Sequence, residues 1–112
     1  MQDYELDAWL GDTQVSSEQR AALHAASDAI AGRYPDPDLS DVRERALSAA
    51  AMLILGDATL EEIAGDWRDA RRIERERHAA LTGALIAADG SEVELAERAG
   101  VTRMTVRKAL GK

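Results

Sequence analysis

The sequence predicts an all-α protein, a helical bundle with a C-terminal tri-helical unit, and three observations support this fold class. Alanine is abundant and phenylalanine is absent, a composition that favours close-packed helices over strands. Ser16, Thr59 and Ser91 each stand three residues before a glutamate or glutamine, which is the pattern of a capping box at a helix start. Apolar residues also recur every three or four positions and do not alternate.

Polar caps and glycines delimit the first two predicted helices. Asp3 is expected to cap a short helix that ends at Gly11. Either Ser16 or Ser17 is expected to cap the second helix, with Gln19 placed to complete a capping box if Ser16 is the cap, and Gly32 is expected to end the helix. A loop with two prolines follows, because each proline disfavours helical backbone at the residue before it.

The third and fourth helices complete the predicted N-terminal bundle. Ser40 is expected to cap the third helix, and residues 46–55 are apolar on nearly every side, so we expect them to form the buried centre. The fourth helix begins after Thr59. Its middle, residues 68–78, is almost entirely charged. Two alternatives therefore stay open, one continuous helix over 59–88 or a break in the charged stretch.

The C-terminal segment predicts two short helices joined by a tight turn. Ser91 and Glu94 start the first helix, and Gly100 stands where the backbone needs the left-handed conformation that glycine adopts freely. Thr102 caps the second helix almost at once. Leu95, Ala96 and Ala99 are expected to face inward. This arrangement is a helix-turn-helix, whose second helix enters the major groove of DNA.

The second helix of this motif divides its residues between two faces. At 100° per residue, Val106, Ala109 and Leu110 turn inward. The opposite face is cationic, which suits a polyanion, because arginine can bind guanine through two hydrogen bonds and lysine or threonine can bind phosphate. The residues expected to face double-stranded DNA are Thr102, Arg103, Met104, Thr105, Arg107 and Lys108.

Residues 91–111 resemble the helix-turn-helix of bacterial regulators of the lactose-repressor kind. The resemblance rests on the run from Glu94 to Leu110, with Ala99-Gly100-Val101-Thr102-Arg103 at its centre. It implies a small bacterial or phage transcriptional regulator whose matching side chains face DNA. The sequence departs from the family at Glu92, where an apolar residue is common, and at Ala109, where a larger aliphatic residue is common.

Charge is distributed unevenly along a chain whose formal net charge is −7. Residues 1–66 carry 14 acids and 4 bases, whereas residues 67–112 carry 7 acids and 10 bases. We therefore expect an acidic helical segment over residues 1–75, which forms a homodimer, and a DNA-binding unit over residues 76–112. A dimer is expected because one small helix-turn-helix buries too little surface for high specificity.

Two alternatives to this interpretation remain open at the sequence level. The chain could be a protein-interaction adaptor or an antitoxin-like component that binds a partner through the acidic helices of residues 17–55. The arginines of the fourth helix either pair with neighbouring acids or contact phosphates beside the groove. These arginines are Arg71, Arg72, Arg75 and Arg77.

Other functional classes find no support in the sequence. There is no serine–histidine–aspartate arrangement, glycine-rich phosphate loop or pair of catalytic carboxylates, so we expect no enzyme, no cofactor and no small-molecule ligand. The acidic loop at Asp36, Asp38 and Asp41 lacks the glycine of a calcium loop, and we expect no metal. Without cysteines, a signal peptide or a long apolar run, the chain is expected to be cytoplasmic and not to enter a membrane.

Overall fold

The computed structural model describes residues 1–112 and confirms the all-α fold class. It contains no strand. The α-helices are α1 (Asp3–Leu10), α2 (Ser17–Arg33), α3 (Ser40–Ile54), α4 (Leu60–Ala87), α5 (Glu92–Ala99) and α6 (Arg103–Ala109), with a 3-10 turn at Pro37–Leu39. The chain divides into two units, unit 1 (Met1–Gly65) and unit 2 (Asp66–Lys112). The division falls inside α4, ten residues before the predicted boundary at 75/76.

Unit 1 is built around a small core between α1, α2 and α3. Leu6, Leu23 and Ala51 are buried in this core. Partly buried side chains around them are Met1, Trp9, Leu10, Val15 and Ile54. Polar contacts join the same helices at the surface, because the Trp9 indole Nε1 donates to Glu44 Oε1 at 3.2 Å.

The helix starts and ends follow the predicted signals in part. Ser16 and Gln19 form the complete capping box of α2, and Gly11 follows α1 with a φ of 61°. The capping roles predicted for Asp3 and Ser40 are wrong: each is the first residue of its helix, and the preceding residue takes the cap position without a side-chain bond. Gly32 lies inside α2. The helix ends one residue later, at Arg33, and Tyr34 separates it from Pro35.

The predicted burial of residues 46–55 is wrong for Met52 and Leu53. Leu47 and Ala51 are buried, but Met52 is 44% exposed and Leu53 is 47% exposed. The physical reason is that α3 packs mainly against α2. Only one side of α3 therefore reaches the core of unit 1, and its second apolar face, which begins at Val42, is exposed within the chain.

The fourth helix is continuous over its 28 residues, which decides between the two alternatives left open by the sequence. Thr59 precedes it, and the Thr59 hydroxyl accepts a hydrogen bond from the backbone N–H of Glu62 at 3.1 Å. In the charged middle, Arg72 lies within 4 Å of carboxylates on Asp69 and Glu76, at i−3 and i+4. Such pairs support a solvated helix. None of the helices combines the length and the apolar character that crossing a membrane requires.

Unit 2 has its own core, formed by the end of α4 together with α5 and α6. Its buried side chains are Leu85, Leu95, Ala96 and Val106. Leu81, Ala88, Val101, Ala109 and Leu110 pack against them. Ala99, which was predicted to face inward, is exposed. It is the last residue of α5, where the chain already turns away from the core.

Candidate nucleic-acid interface

The turn between α5 and α6 has the geometry that its sequence predicts. Gly100 adopts φ 69° and ψ 32°, the left-handed conformation. The N–H of Gly100 donates to the carbonyl of Glu97 at 3.3 Å, and that of Val101 to the carbonyl of Ala96 at 3.0 Å. These bonds satisfy carbonyls that the end of α5 would leave unpaired. The turn therefore fixes the direction in which α6 leaves.

Thr102 starts α6 and is part of its cap. The Thr102 hydroxyl accepts from the backbone N–H of Thr105 at 3.2 Å and lies 3.0 Å from the Thr105 hydroxyl. Both hydroxyls of the predicted DNA-facing set are thus engaged with each other at the first turn of the helix. Each oxygen has a second lone pair, so engagement in the cap leaves capacity for a phosphate or base contact.

The two faces of α6 are divided as the helical spacing predicts. Val106 is completely buried, and Ala109 and Leu110 pack beside it. On the other face Met104 is 58% exposed, and the side chains of Arg103 and Lys108 are also exposed. The core of unit 2 therefore holds α6 by one side and leaves the cationic side to the solvent.

Glu92, at the start of α5, gathers three of the basic side chains. Its Oε2 lies 3.2 Å from Nε of Arg103 and 3.6 Å from Nη1 of Arg107, and its Oε1 lies 3.7 Å from Nζ of Lys112. The Glu92 side chain is only 17% exposed. One carboxylate thus stands beneath the basic face of α6 and neutralises part of its charge.

The ion cluster has two consequences for the chemistry of the site. The hydrogen bond from Arg103 lowers the pKa of the Glu92 carboxyl, with further lowering by the nearby charges of Arg107 and Lys112, against an opposing effect of burial. Glu92 is therefore anionic at neutral pH. Arg103 makes its bond through Nε, so its terminal nitrogens Nη1 and Nη2 remain available to pair with an acceptor outside the protein.

Sequence reasoning missed the role of Glu92, although a signal was present. The partners are 11, 15 and 20 residues away along the chain, and helical spacing relates only residues within one helix. The signal was the departure from the lactose-repressor pattern, because an acid at a position that is commonly apolar needs a compensating charge when it is partly buried.

A shallow groove runs between α4 and α6 on the basic side of unit 2. His78, Thr82, Thr105 and Lys108 line it above the core residues Leu81, Leu85 and Ala109. None of these side chains is acidic, and no group of three or more potential ligands in the chain is placed to hold a metal ion. The groove thus offers hydroxyls and a lysine to an acceptor-rich partner.

The arginines of α4 use their charge in different ways. Arg72 pairs with acids on its own helix. Arg71 stacks on the ring of Trp67, with its guanidinium carbon 4.9 Å from the ring centroid. Arg68, Arg75 and Arg77 have no carboxylate within 4 Å. Pairing with neighbouring acids therefore accounts for only one arginine in this stretch.

Comparisons of the chain with protein-family models, with curated proteins and with solved structures find no match.

Proposed function

We propose that this protein binds double-stranded DNA in a sequence-specific manner, with α6 as the recognition helix. One observation carries the proposal. The core of unit 2 holds α6 by Val106 and exposes a face with three cations and no acid of its own. A helix held in this way behind a glycine turn has the form that enters a major groove.

The exposed side chains differ in the contact they are suited to make. Arg103 lies in the first turn of α6, where base edges are reached, and its terminal nitrogens can bind O6 and N7 of guanine. Arg107 lies one turn further along the same face, and Met104 can contact a thymine methyl group. Lys108 borders the groove with α4, a position suited to phosphate.

The biological role that fits this activity is transcriptional regulation in a bacterium or phage, as a homodimer on a two-fold repeated site. The resemblance of residues 91–111 to lactose-repressor-type regulators supports the role. The exposed apolar face of α3 supports the dimer, since Val42, Met52 and Leu53 are 37%, 44% and 47% exposed. Burial of such side chains against a second copy would stabilise the association.

The test uses the full chain and duplexes selected by it from a random pool. We expect selected duplexes to share a sequence, and affinity to fall steeply with salt concentration, because phosphate contacts release counterions. Arg103→Ala should cost about 1–3 kcal/mol on the selected duplex and relax one base preference. Lys108→Ala should weaken selected and scrambled duplexes alike. Sedimentation should give a dimer that Leu53→Glu dissociates.

Arg33→Ala is the matched control, because Arg33 is an exposed cation of unit 1 at the end of α2, outside the proposed dimer face of α3. It should leave the binding of both duplexes nearly unchanged. Failure of the parent protein to bind any duplex at low salt would refute the proposal. Equal losses for Arg103→Ala and Lys108→Ala on both duplexes would reduce the protein to a non-specific DNA binder.

The same apolar face of α3 favours a second candidate, an adaptor or antitoxin-like protein that binds a partner through the acidic helices. In that case the Leu53→Glu variant stays unchanged in its oligomeric state but loses the partner. An interface of apolar side chains would also be nearly insensitive to salt, whereas DNA binding would not. Affinity measured at several salt concentrations therefore separates the candidates.

A further inference from the structure

The side of α4 next to the recognition helix carries a stripe of residues that the proposed base contacts do not use. Five positions follow each other at intervals of three and four residues, the spacing of one helix face. They are Arg68, Arg71, Arg75, His78 and Thr82. At 1.5 Å per residue the stripe is about 21 Å long.

The stripe is free of acids and open to solvent. Residues 66–80 are all exposed, so nothing in unit 2 covers the three arginines. Asp69 and Glu76 lie on other sides of the helix, where they pair with Arg72. Glu74 borders the stripe and has no cation within 4 Å. The guanidinium group of Arg71 stacks on the ring of Trp67. This contact restricts the Arg71 side chain and reduces the entropy that it would lose on binding a partner.

The stripe is continuous with the recognition helix. Its last two residues, His78 and Thr82, form one wall of the groove whose other wall is made by Thr105 and Lys108 of α6. A phosphate backbone that follows Lys108 out of the major groove would therefore meet the arginines of α4 next. A second protein surface would require carboxylates at matching positions, whereas DNA offers a negative charge about every 1.7 Å along its axis.

We propose that the α4 stripe is a second, sequence-independent contact surface for the backbone of the DNA that α6 binds. The proposal rests on the proposed function and deepens it. The stripe extends the contact by at most about six base pairs at 3.4 Å per pair. These contacts position the duplex and raise affinity without selecting bases.

The chain offers a closely matched pair of variants for the test. Arg75 lies on the stripe, and Arg77 is about 160° away around the same helix. Arg75→Ala and Arg77→Ala remove the same charge two residues apart in the sequence but from opposite sides of the helix, and alanine maintains the helix. We expect Arg75→Ala to reduce the slope of log affinity against log salt by about one, and Arg71→Ala/Arg75→Ala by about two. Arg77→Ala should keep the parent slope.

Two further measurements make the test specific. The double variant should lose affinity equally on selected and scrambled duplexes. On duplexes trimmed to the selected site, the double variant and the parent should bind with the same affinity. Equal slopes for Arg75→Ala and Arg77→Ala would overturn the inference. They would show that both arginines act only through the overall electrostatic field of the protein. A change of oligomeric state without a change of slope would assign the stripe to a second copy and also overturn it.

These outcomes are distinguishable from failure of the proposed function. If the parent binds no duplex, the DNA-binding proposal fails as a whole. If the parent binds and Arg103→Ala loses sequence preference, while Arg75→Ala matches Arg77→Ala, only the α4 inference fails.

Discussion

The two units of this chain use ionic side chains in opposite ways. Unit 1 carries 13 acids and 4 bases, and its arginines are mostly engaged internally. Arg20 lies 2.7 Å from Asp7 and 3.7 Å from Asp3, and Arg43 donates to the carbonyls of Tyr34 and Asp36. Unit 2 carries 8 acids and 10 bases, and one acid, Glu92, engages three of its cations.

This contrast distinguishes the charged side chains that stabilise the fold from those that are available to a partner. In unit 1 a scarce cation, Arg20, joins the consecutive helices α1 and α2. Its hydrogen bond with Asp7 raises the pKa of Arg20. In unit 2 cations outnumber acids, and those without a carboxylate partner include Lys108 on α6 and three arginines on one side of α4. The net charge of the whole chain conceals the excess of cations in unit 2, because the acids of unit 1 make that net charge negative.

The largest expected effect is the loss of stability caused by a cavity in the core of one unit, which tests whether the two cores are independent. Leu85→Ala should destabilise unit 2 by about 2–5 kcal/mol, because it removes a buried side chain from a very small core. DNA binding should be lost with it. Leu23→Ala makes an equally large cavity in unit 1 and should lower the melting temperature of that unit while the DNA-binding surface stays folded. Calorimetry and amide hydrogen exchange check both variants, and loss of exchange protection in unit 2 of the Leu23→Ala variant would contradict the separation.

The turn of unit 2 gives the next largest effect. Gly100→Val should cost at least about 1 kcal/mol, since a β-branched residue is strained at φ 69°. The space around the turn is open, so the cost is conformational and not a clash. Gly83→Ala, inside α4 with no neighbour within 4 Å, should stabilise by about 0.5–1 kcal/mol. Equal melting curves for Gly100→Val and the parent would disprove the turn's role.

Glu92 gives a smaller and more selective effect. Glu92→Gln frees Arg103, Arg107 and Lys112 from their shared partner, so affinity for scrambled DNA should rise a few-fold. Preference for the selected site should fall, because Arg103 loses the bond that orients it. Glu97→Gln removes the same charge from an exposed position of α5 and serves as the control. The same gain and the same preference in both variants would show that only net charge matters.

The smallest effect is a pH dependence of unit 2. Because the pKa of Glu92 is lower in the folded protein than in the unfolded chain, the ion cluster stabilises unit 2 above the unfolded pKa of about 4.3. This stabilisation is lost as the pH falls through the lowered pKa of the folded state. Melting of the parent and of Glu92→Gln between about pH 3 and pH 6 should show a steeper acid loss in the parent. Parallel curves would contradict the assignment.

Local sequence signals predicted much of the fold, because they act over one helical turn. The capping box of Ser16 and Gln19, the left-handed Gly100 and the cap at Thr102 all depend on neighbours within four residues. The faces of α6 follow from the same periodicity. The predicted caps at Asp3 and Ser40 were displaced by one residue, because the helical backbone already includes each of them. At Ser40 the 3-10 turn Pro37–Leu39 runs directly into α3.

Features that depend on distant residues were not predictable in this way. Burial of α3 was overestimated. An apolar pattern shows which residues can be buried, but it does not show whether another helix of the same chain packs against them. The cluster around Glu92 joins α5 to α6 and to the last residue. Continuity of α4 could not be predicted from its charges, because an i,i+4 ion pair such as that of Arg72 with Glu76 stabilises a helix by only about 0.2–0.5 kcal/mol.

The small core of unit 2 has a consequence for its response to temperature. With so short a chain and only four buried side chains, the enthalpy of unfolding is about 30 kcal/mol near 60 °C and the heat-capacity change about 0.6 kcal/mol/K. A transition with so small an enthalpy is broad, and the fraction folded changes over tens of degrees. Binding enthalpies measured near its midpoint will include the enthalpy of folding. If the protein binds DNA as proposed, the occupancy of its site will then decline gradually on warming, without a sharp threshold.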